Sequence, residues 1–151
     1  MQLNSKIKQK FKNDKEVLSQ VEKNIRDGMD ILDIGAYSSR PGADDLSEDE
    51  ELSRQQSILN SVIKRFPGVI ISIDTFRSKV AQESLDHGAH IINDISAGQL
   101  DQEMMNTIAK YQVPFIMMHM RGAPQTMKNL TDYDHLLKDV VYYFSERISS
   151  F

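Results

Sequence analysis

Four times in this chain a short apolar run ends on a polar residue and hands over to a stretch with helical periodicity. The runs are MDILDIG (29–35), GVIISIDT (68–75), HIINDIS (90–96) and VPFIMMHMRG (113–122). Runs of this length, rich in Ile and Val and polar only at the downstream end, read as strands of a parallel sheet with both faces buried. The polar ends Asp33, Asp74, Asn93 and His119 are then expected along one rim of the sheet. In α/β folds that rim is where ligands bind.

The stretches between the runs carry helix signals. Asp14 can cap a helix with Val17, Leu18, Val21 and Ile25 on one face, and Gly28 stands where a left-handed C-terminal cap belongs. Residues 1–12 read as a frayed segment ahead of a domain spanning 13–151. Ser47 and Glu50 have the spacing of a capping box, and the helix behind them buries Leu52, Leu59, Val62, Ile63 and Phe66 before Pro67 and Gly68 stop it. Thr75 or Ser78 opens a third helix with Val80, Ala81 and Leu85 inward, ended by Gly88. Asp101 opens a fourth, with Met104, Met105, Ile108 and Ala109 inward. A last helix from about Tyr133 aligns Leu136, Leu137, Val140, Val141, Phe144 and Ile148 on one stripe. Repeated right-handed βα units build either an open doubly wound sheet or a (β/α)8 barrel. A closed barrel takes about 250 residues and eight units, so the four units read here make half of one.

Composition narrows the function classes. At 151 residues, 40% hydrophobic and 26% charged, the chain can bury one globular core. A formal charge of −4, with basic residues scattered except for Lys6, Lys8, Lys10 and Lys12, gives no footprint for nucleic acid. The chain has no cysteine, which removes disulfide and thiolate chemistry and fits a reducing compartment. No run approaches the roughly 20 apolar residues of a membrane span, and the polar start lacks a signal-peptide core. The cytoplasm is the expected location, with no membrane partner.

Asp74 closes a buried strand and Asn93 closes the next, so both would stand on the same rim within reach of one ligand. A carboxylate beside a carboxamide suits a flat heterocycle with adjacent N–H donors and a carbonyl. Helix capping by Asp74, or an Asx turn at Asn93 or Asp94, is the competing use of the same residues. The loop holding Ser38, Ser39, Arg40, Pro41 and Gly42 lies on that rim, where Arg40 could fork onto a phosphate or carboxylate, or could be plain exposed connection. Met117, Met118 and Met120 are read mostly as core filler, and His119 as a hydrogen-bonded structural histidine. Asp, Asn and His sit on separate strands without metal-ligand spacing, so no metal is assigned. Neither a glycine-rich phosphate loop nor a nucleophilic triad is present in the pattern, and no catalytic residue is named.

The strings DILDIGAYSSRPGA, ISIDTFRSKVA, HIINDIS and MHMRGAPQTM, in this order, resemble dihydropteroate synthase, a (β/α)8 barrel enzyme of folate biosynthesis, over roughly residues 13–148. MHMRGAPQTM is the most specific of them. The resemblance implies a transferase that joins 6-hydroxymethyl-7,8-dihydropterin diphosphate to p-aminobenzoate and releases diphosphate with help from magnesium. Carried over by position, Asp74 and Asn93 would hold the pterin, Ile95 and Met118 would line its slot, and the loop with Ser39, Arg40 and Pro41 would fold over the site on the p-aminobenzoate side. The family often shows GGES or GGEST before the Arg-Pro pair, where this chain has Gly35, Ala36, Tyr37, Ser38 and Ser39. The family's upstream asparagine loop for magnesium and diphosphate finds no counterpart before Asp14, and its later Asp, Lys, Arg and His motifs find none before Phe151.

Two further readings stay open. The chain could be a non-catalytic pterin- or partner-binding fragment, and it could be another phosphate-handling barrel such as an aldolase, against which counts the lack of a lysine at any strand end. Half a barrel would also expose two sheet edges and show inward Ile, Val and Met to water, an arrangement that invites homo-oligomers or aggregation.

Overall fold

The computed structural model describes residues 6–7, 14–37 and 46–149. Five strands form one sheet, β1 (Lys6–Ile7), β2 (Ile31–Ile34), β3 (Ile70–Asp74), β4 (Ile91–Asp94) and β5 (Phe115–Met117), in the order β1-β2-β3-β4-β5. Every neighbouring pair is parallel. An order that advances one way without reversing is the winding of a barrel, since a doubly wound sheet turns back at a switch point. The described chain is therefore an arc of a (β/α)8-type barrel, with five strands rather than the four expected. The additional strand lies inside the stretch read as frayed: Lys6 and Ile7 pair with Asp33 and Ile34. Two residues carry too little periodicity for a strand to be read from them.

Between the strands run α1 (Asp14–Arg26), α2 (Glu48–Arg65), α3 (Ser78–Asp86) and α4 (Glu103–Tyr111), with α5 (Leu136–Ser149) after β5. Their starts follow the local chemistry. Ser47 and Glu50 close a reciprocal capping box on α2. Asp101 caps twice, one carboxylate oxygen accepting from the Ser78 N–H of α3 at 2.6 Å and the other from the Glu103 N–H of α4 at 3.0 Å. α3 thus opens at Ser78, with Arg77 rather than Asp74 in the cap position. Gly28 and Gly88 both have positive φ just past the ends of α1 and α3, the left-handed stop that a side chain disfavours.

One sheet face supplies Leu32, Ile34, Ile71, Ile73 and Ile92 to the core, against Val17 and Val21 of α1, Leu59 and Val62 of α2, Ala81 and Leu85 of α3, and Met104 and Ile108 of α4. Each such side chain stabilises the fold by about 1.5–3 kcal/mol. Pleating turns the alternate residues to the other face, where Asp33 stands beside Ser72, Asp74 beside Asn93, and Asn93 beside Ile116. The expectation that this face shows its apolar residues to water holds at Ile70, which is 45% exposed, and fails at Ile31 and Ile91, which are buried.

Two helix faces differ from expectation. Ile25 and Ala109 are exposed while Asn24 and Thr107 are buried, because each helix is rotated so that one flank of its apolar stripe lies outside the contact. The last helix begins at Leu136, and none of its residues is fully buried: Leu137 is 77% exposed, Val141 59% and Ile148 61%, with Val140 and Phe144 half-buried. Leu137, Val141 and Ile148 stand open to solvent on that stripe.

Ile73→Ala is expected to lower stability by about 2–5 kcal/mol through the cavity it leaves, read as a lower urea midpoint. The bare stripe on α5 is expected to make the chain self-associate at micromolar concentration, to be checked by sedimentation velocity over a dilution series. A concentration-independent monomer would contradict this.

Candidate ligand site at the strand ends

At the downstream rim, parallel register does the assembling. Asp74 and Asn93 are direct partners on β3 and β4, and Asp33 shares their face one strand over. The Asn93 amide donates to both carboxylate oxygens of Asp33, at 3.3 and 3.4 Å, a long and forked bond. A carboxylate only accepts, so the bond fixes the orientation of the carboxamide: its N–H₂ side faces Asp33 and its oxygen is turned elsewhere. Asp33 and Asp74 are buried and Asn93 is half-buried.

The competing uses of these residues are taken by others. The α3 N-terminus is capped by Asp101 and by the Thr75 hydroxyl, which accepts the Arg77 N–H at 3.2 Å. The Asx turn belongs to Asp94, which accepts from the Ser96 N–H at 2.7 Å, the Ser96 hydroxyl at 2.8 Å and the Gly98 N–H at 2.8 Å. Strand alternation turns Asp74 and Asn93 to the arc's interior. Tyr37, Asp74, Thr75, Phe76 and Ile95 line one small cleft there.

Gly35 is what lets Asp74 sit so close to β2. A methyl group on Gly35 would stand 2.9 Å from the Asp74 Cβ and 3.1 Å from Oδ2, and the first of these is the rigid root of the side chain, which cannot swing away.

Of the residues singled out in the sequence, Ile95 lies against Asp74 in the cleft. Met118 is half-buried, two residues beyond Ile116, the register partner of Asn93, and its N–H continues the ladder to the Asp94 carbonyl at 3.2 Å. Ser39, Arg40 and Pro41 lie outside the described residues. His119 does not join the rim group. Its ring packs edge-on to Tyr143 at 4.7 Å and near Tyr133 and Phe144, because alternation along β5 turns it to the side of α5. The same contact anchors that helix, with the Tyr143 hydroxyl within hydrogen-bond reach of the Ser96 and Met118 carbonyls.

Sequence reasoning missed Glu51. It is fully buried in α2, where it takes a core position of the helical period. Its carboxylate accepts from the Thr75 hydroxyl at 2.8 Å and pairs with the Arg77 guanidinium. Burial pushes its carboxyl above the ordinary range, against the Thr75 bond and Arg77, which lower it. Arg77 also donates to the Leu46 carbonyl at 2.8 Å and lies over the rings of Tyr37 and Phe76 at 5.4 and 5.2 Å. A charged residue at an apolar-phase position, 24 residues ahead of the Thr75-Phe76-Arg77 turn, carries no local signal of that pairing. Among the described residues no group of three or more His, Asp or Glu could hold a metal ion.

Gly35→Ala is expected to displace Asp74 and cost about 1–3 kcal/mol through overpacking, measured by thermal melting. Asp94 gives a pH test. Burial, aided by the nearby charge of Asp74, holds its carboxyl above the usual value despite the Ser96 and Gly98 bonds. A group raised in the folded state contributes stability that is present below its unfolded value and lost as pH rises through its folded one. The stability of the native chain relative to Asp94→Asn is therefore expected to decline as pH rises above about 4, and a flat difference in melting temperature between pH 4 and 7 would contradict it.

Comparison with known proteins sets this geometry in a family. The family model described as pterin binding enzyme matches residues 4–151. The mitochondrial folate synthesis bifunctional protein of Pisum sativum is 46% identical over 134 residues, covering 86% of this chain and 26% of its own length. The dihydropteroate synthase of Synechocystis is 40% identical over 131 residues, covering 87% of this chain and 45% of that protein. Among solved structures, the Yersinia pestis dihydropteroate synthase in a sulfonamide drug complex superposes with a TM-score of 0.86 at 32% identity, over 95% of this chain and 54% of that one. The Vibrio fischeri 7,8-dihydropteroate synthase gives 0.80 at 36%, over 98% and 53%. The chain thus spans about half the length of the dihydropteroate synthases it matches and about a quarter of the bifunctional protein. With a barrel-type winding, acidic and amide groups in register at the strand ends, and a family match running from residue 4 to the last residue, the chain belongs to the pterin binding enzyme family.

Proposed function

We propose that the chain carries the pterin-binding half of a dihydropteroate synthase, the transferase that condenses 6-hydroxymethyl-7,8-dihydropterin diphosphate with p-aminobenzoate. The observation that supports this most is the Asp74 and Asn93 pair, side by side in register, with Asn93 oriented by Asp33. The pair sets a carboxylate and a carboxamide, each with an acceptor oxygen, side by side on the interior face. The amino and ring N–H edge of a pterin supplies the matching donors. Ile95 and Met118 would give the ring apolar contact, and Ser39, Arg40 and Pro41 are assigned to the p-aminobenzoate side by the family pattern alone.

In this reading the C–O bond to diphosphate breaks first and its electron pair leaves with the phosphate. The arylamine lone pair then forms the C–N bond at the cationic pterin methylene and the amine loses a proton. The residues present contribute position and charge rather than a nucleophile. Acceptors on the ring edge favour the cation that develops after diphosphate leaves. Help from magnesium is part of the family's chemistry, and the described residues supply no site for it.

Titration of the chain with pteroic acid, followed by fluorescence, tests the binding half of the proposal. Asp74→Ala is expected to weaken affinity by about ten- to a hundredfold, the range for losing hydrogen bonds to a charged acceptor, and Asn93→Ala by less. Unchanged affinity in Asp74→Ala would remove the pterin from this cleft. Turnover of both substrates with magnesium, at rates like those of a longer family member, would extend the proposal to full catalysis. Binding without turnover would restrict it to recognition.

A further inference from the structure

An arginine beside a site proposed to release diphosphate invites assignment to the phosphate. The contacts of Arg77 argue otherwise. One terminal nitrogen is committed to the buried Glu51 carboxylate and the other to the Leu46 carbonyl, and the guanidinium plane is covered by Tyr37 and Phe76. Its side chain is only 18% exposed and that of Glu51 not at all. A guanidinium tied by both terminal nitrogens to protein acceptors, and largely enclosed, is held as part of the wall rather than offered as a free fork to an anion.

We propose that Glu51 and Arg77 form a positioning pair that holds the ligand cleft in shape without touching the ligand. Three links support it. Glu51 holds the Thr75 hydroxyl at 2.8 Å, and Thr75 follows Asp74 directly, so the pair restrains the backbone that aims the acceptor. Arg77 draws in Tyr37 and Phe76, which pack edge-to-face with ring centres 5.1 Å apart and form one wall of the cleft containing Asp74 and Ile95. Its bond to Leu46 ties the approach to α2 to the same guanidinium. A ring, Tyr37, lies against the Arg77 guanidinium, and Glu51 supplies its countercharge. Since a buried pair that loses one member leaves an uncompensated charge, either single change should disturb the wall and the Asp74 turn together.

The inference rests on the reading of the Asp74 cleft as the ligand site, and a double-mutant cycle separates the two. Pteroic acid affinity is measured for the 151-residue chain as it stands and for Glu51→Gln, Arg77→Met, the double variant and Asp74→Ala, with circular dichroism to confirm folding. Positioning predicts that Glu51→Gln and Arg77→Met each weaken binding about tenfold and that the double variant is no worse than either, because the two act as one unit. Arg77→Lys is expected to recover only part of the loss, since an ammonium cannot serve Glu51 and the Leu46 carbonyl in one plane. Amide exchange should rise at residues 35–37 and 75–77 in both single variants and stay unchanged at Asp94 and Ser96.

Weakening by Arg77→Met alone, with Glu51→Gln neutral and competition by inorganic pyrophosphate abolished, would place Arg77 on the ligand and overturn the proposal. Lowered melting temperature with unchanged affinity in both variants would overturn it in favour of stability alone. Absence of pteroic acid binding by the unsubstituted chain, or normal binding by Asp74→Ala, would instead overturn the reading beneath it.

Discussion

Everything at the candidate site follows from the parallel register that sets Asp74 directly beside Asn93. In a parallel ladder, partners on adjacent strands point to the same face, and a slip of one residue would send one of the pair to the helix side. The pattern guards against that slip. Leu32, Ile34, Ile71, Ile73 and Ile92 must all face the helices to form the core, and this obliges Asp33, Asp74 and Asn93 to face the interior together. Core packing and site geometry are two consequences of one alternation.

The polar groups near the rim are divided by job. Asp94 and Asp101 spend their oxygens on backbone N–H groups and so build turns and caps. Thr75, Glu51 and Arg77 bind one another and so hold a turn. Asp33 orients Asn93. These local tasks are filled by neighbours, and that is why Asp74 and Asn93 can face a ligand although both residue types are common caps. Burial of Glu51 and Asp94 near Asp74 concentrates carboxylates in one place. Such an arrangement costs stability and is typical of sites rather than of cores.

The arc also explains its own weak point. Helices α1 to α4 each lie between strands that both exist in the described chain, and each buries an apolar face. α5 follows the outermost strand and has no fully buried residue, although its stripe is as regular as theirs. Amphipathic periodicity states that a face needs cover and leaves open what supplies it.

From sequence alone, the short apolar runs with polar downstream ends and the flanking caps determined the strands β2 to β5, the helix order and the gathering of Asp74 and Asn93, because strand polarity and helix capping are local chemistry. Three matters were decided only in three dimensions. Lys6–Ile7 becomes a strand because β2 offers it an open edge. His119 leaves the rim because alternation along a short strand can be phased only once its partner is known. Glu51 joins the site because 26 residues of chain separate it from Arg77, and no periodicity reports which carboxylate a distant guanidinium will meet.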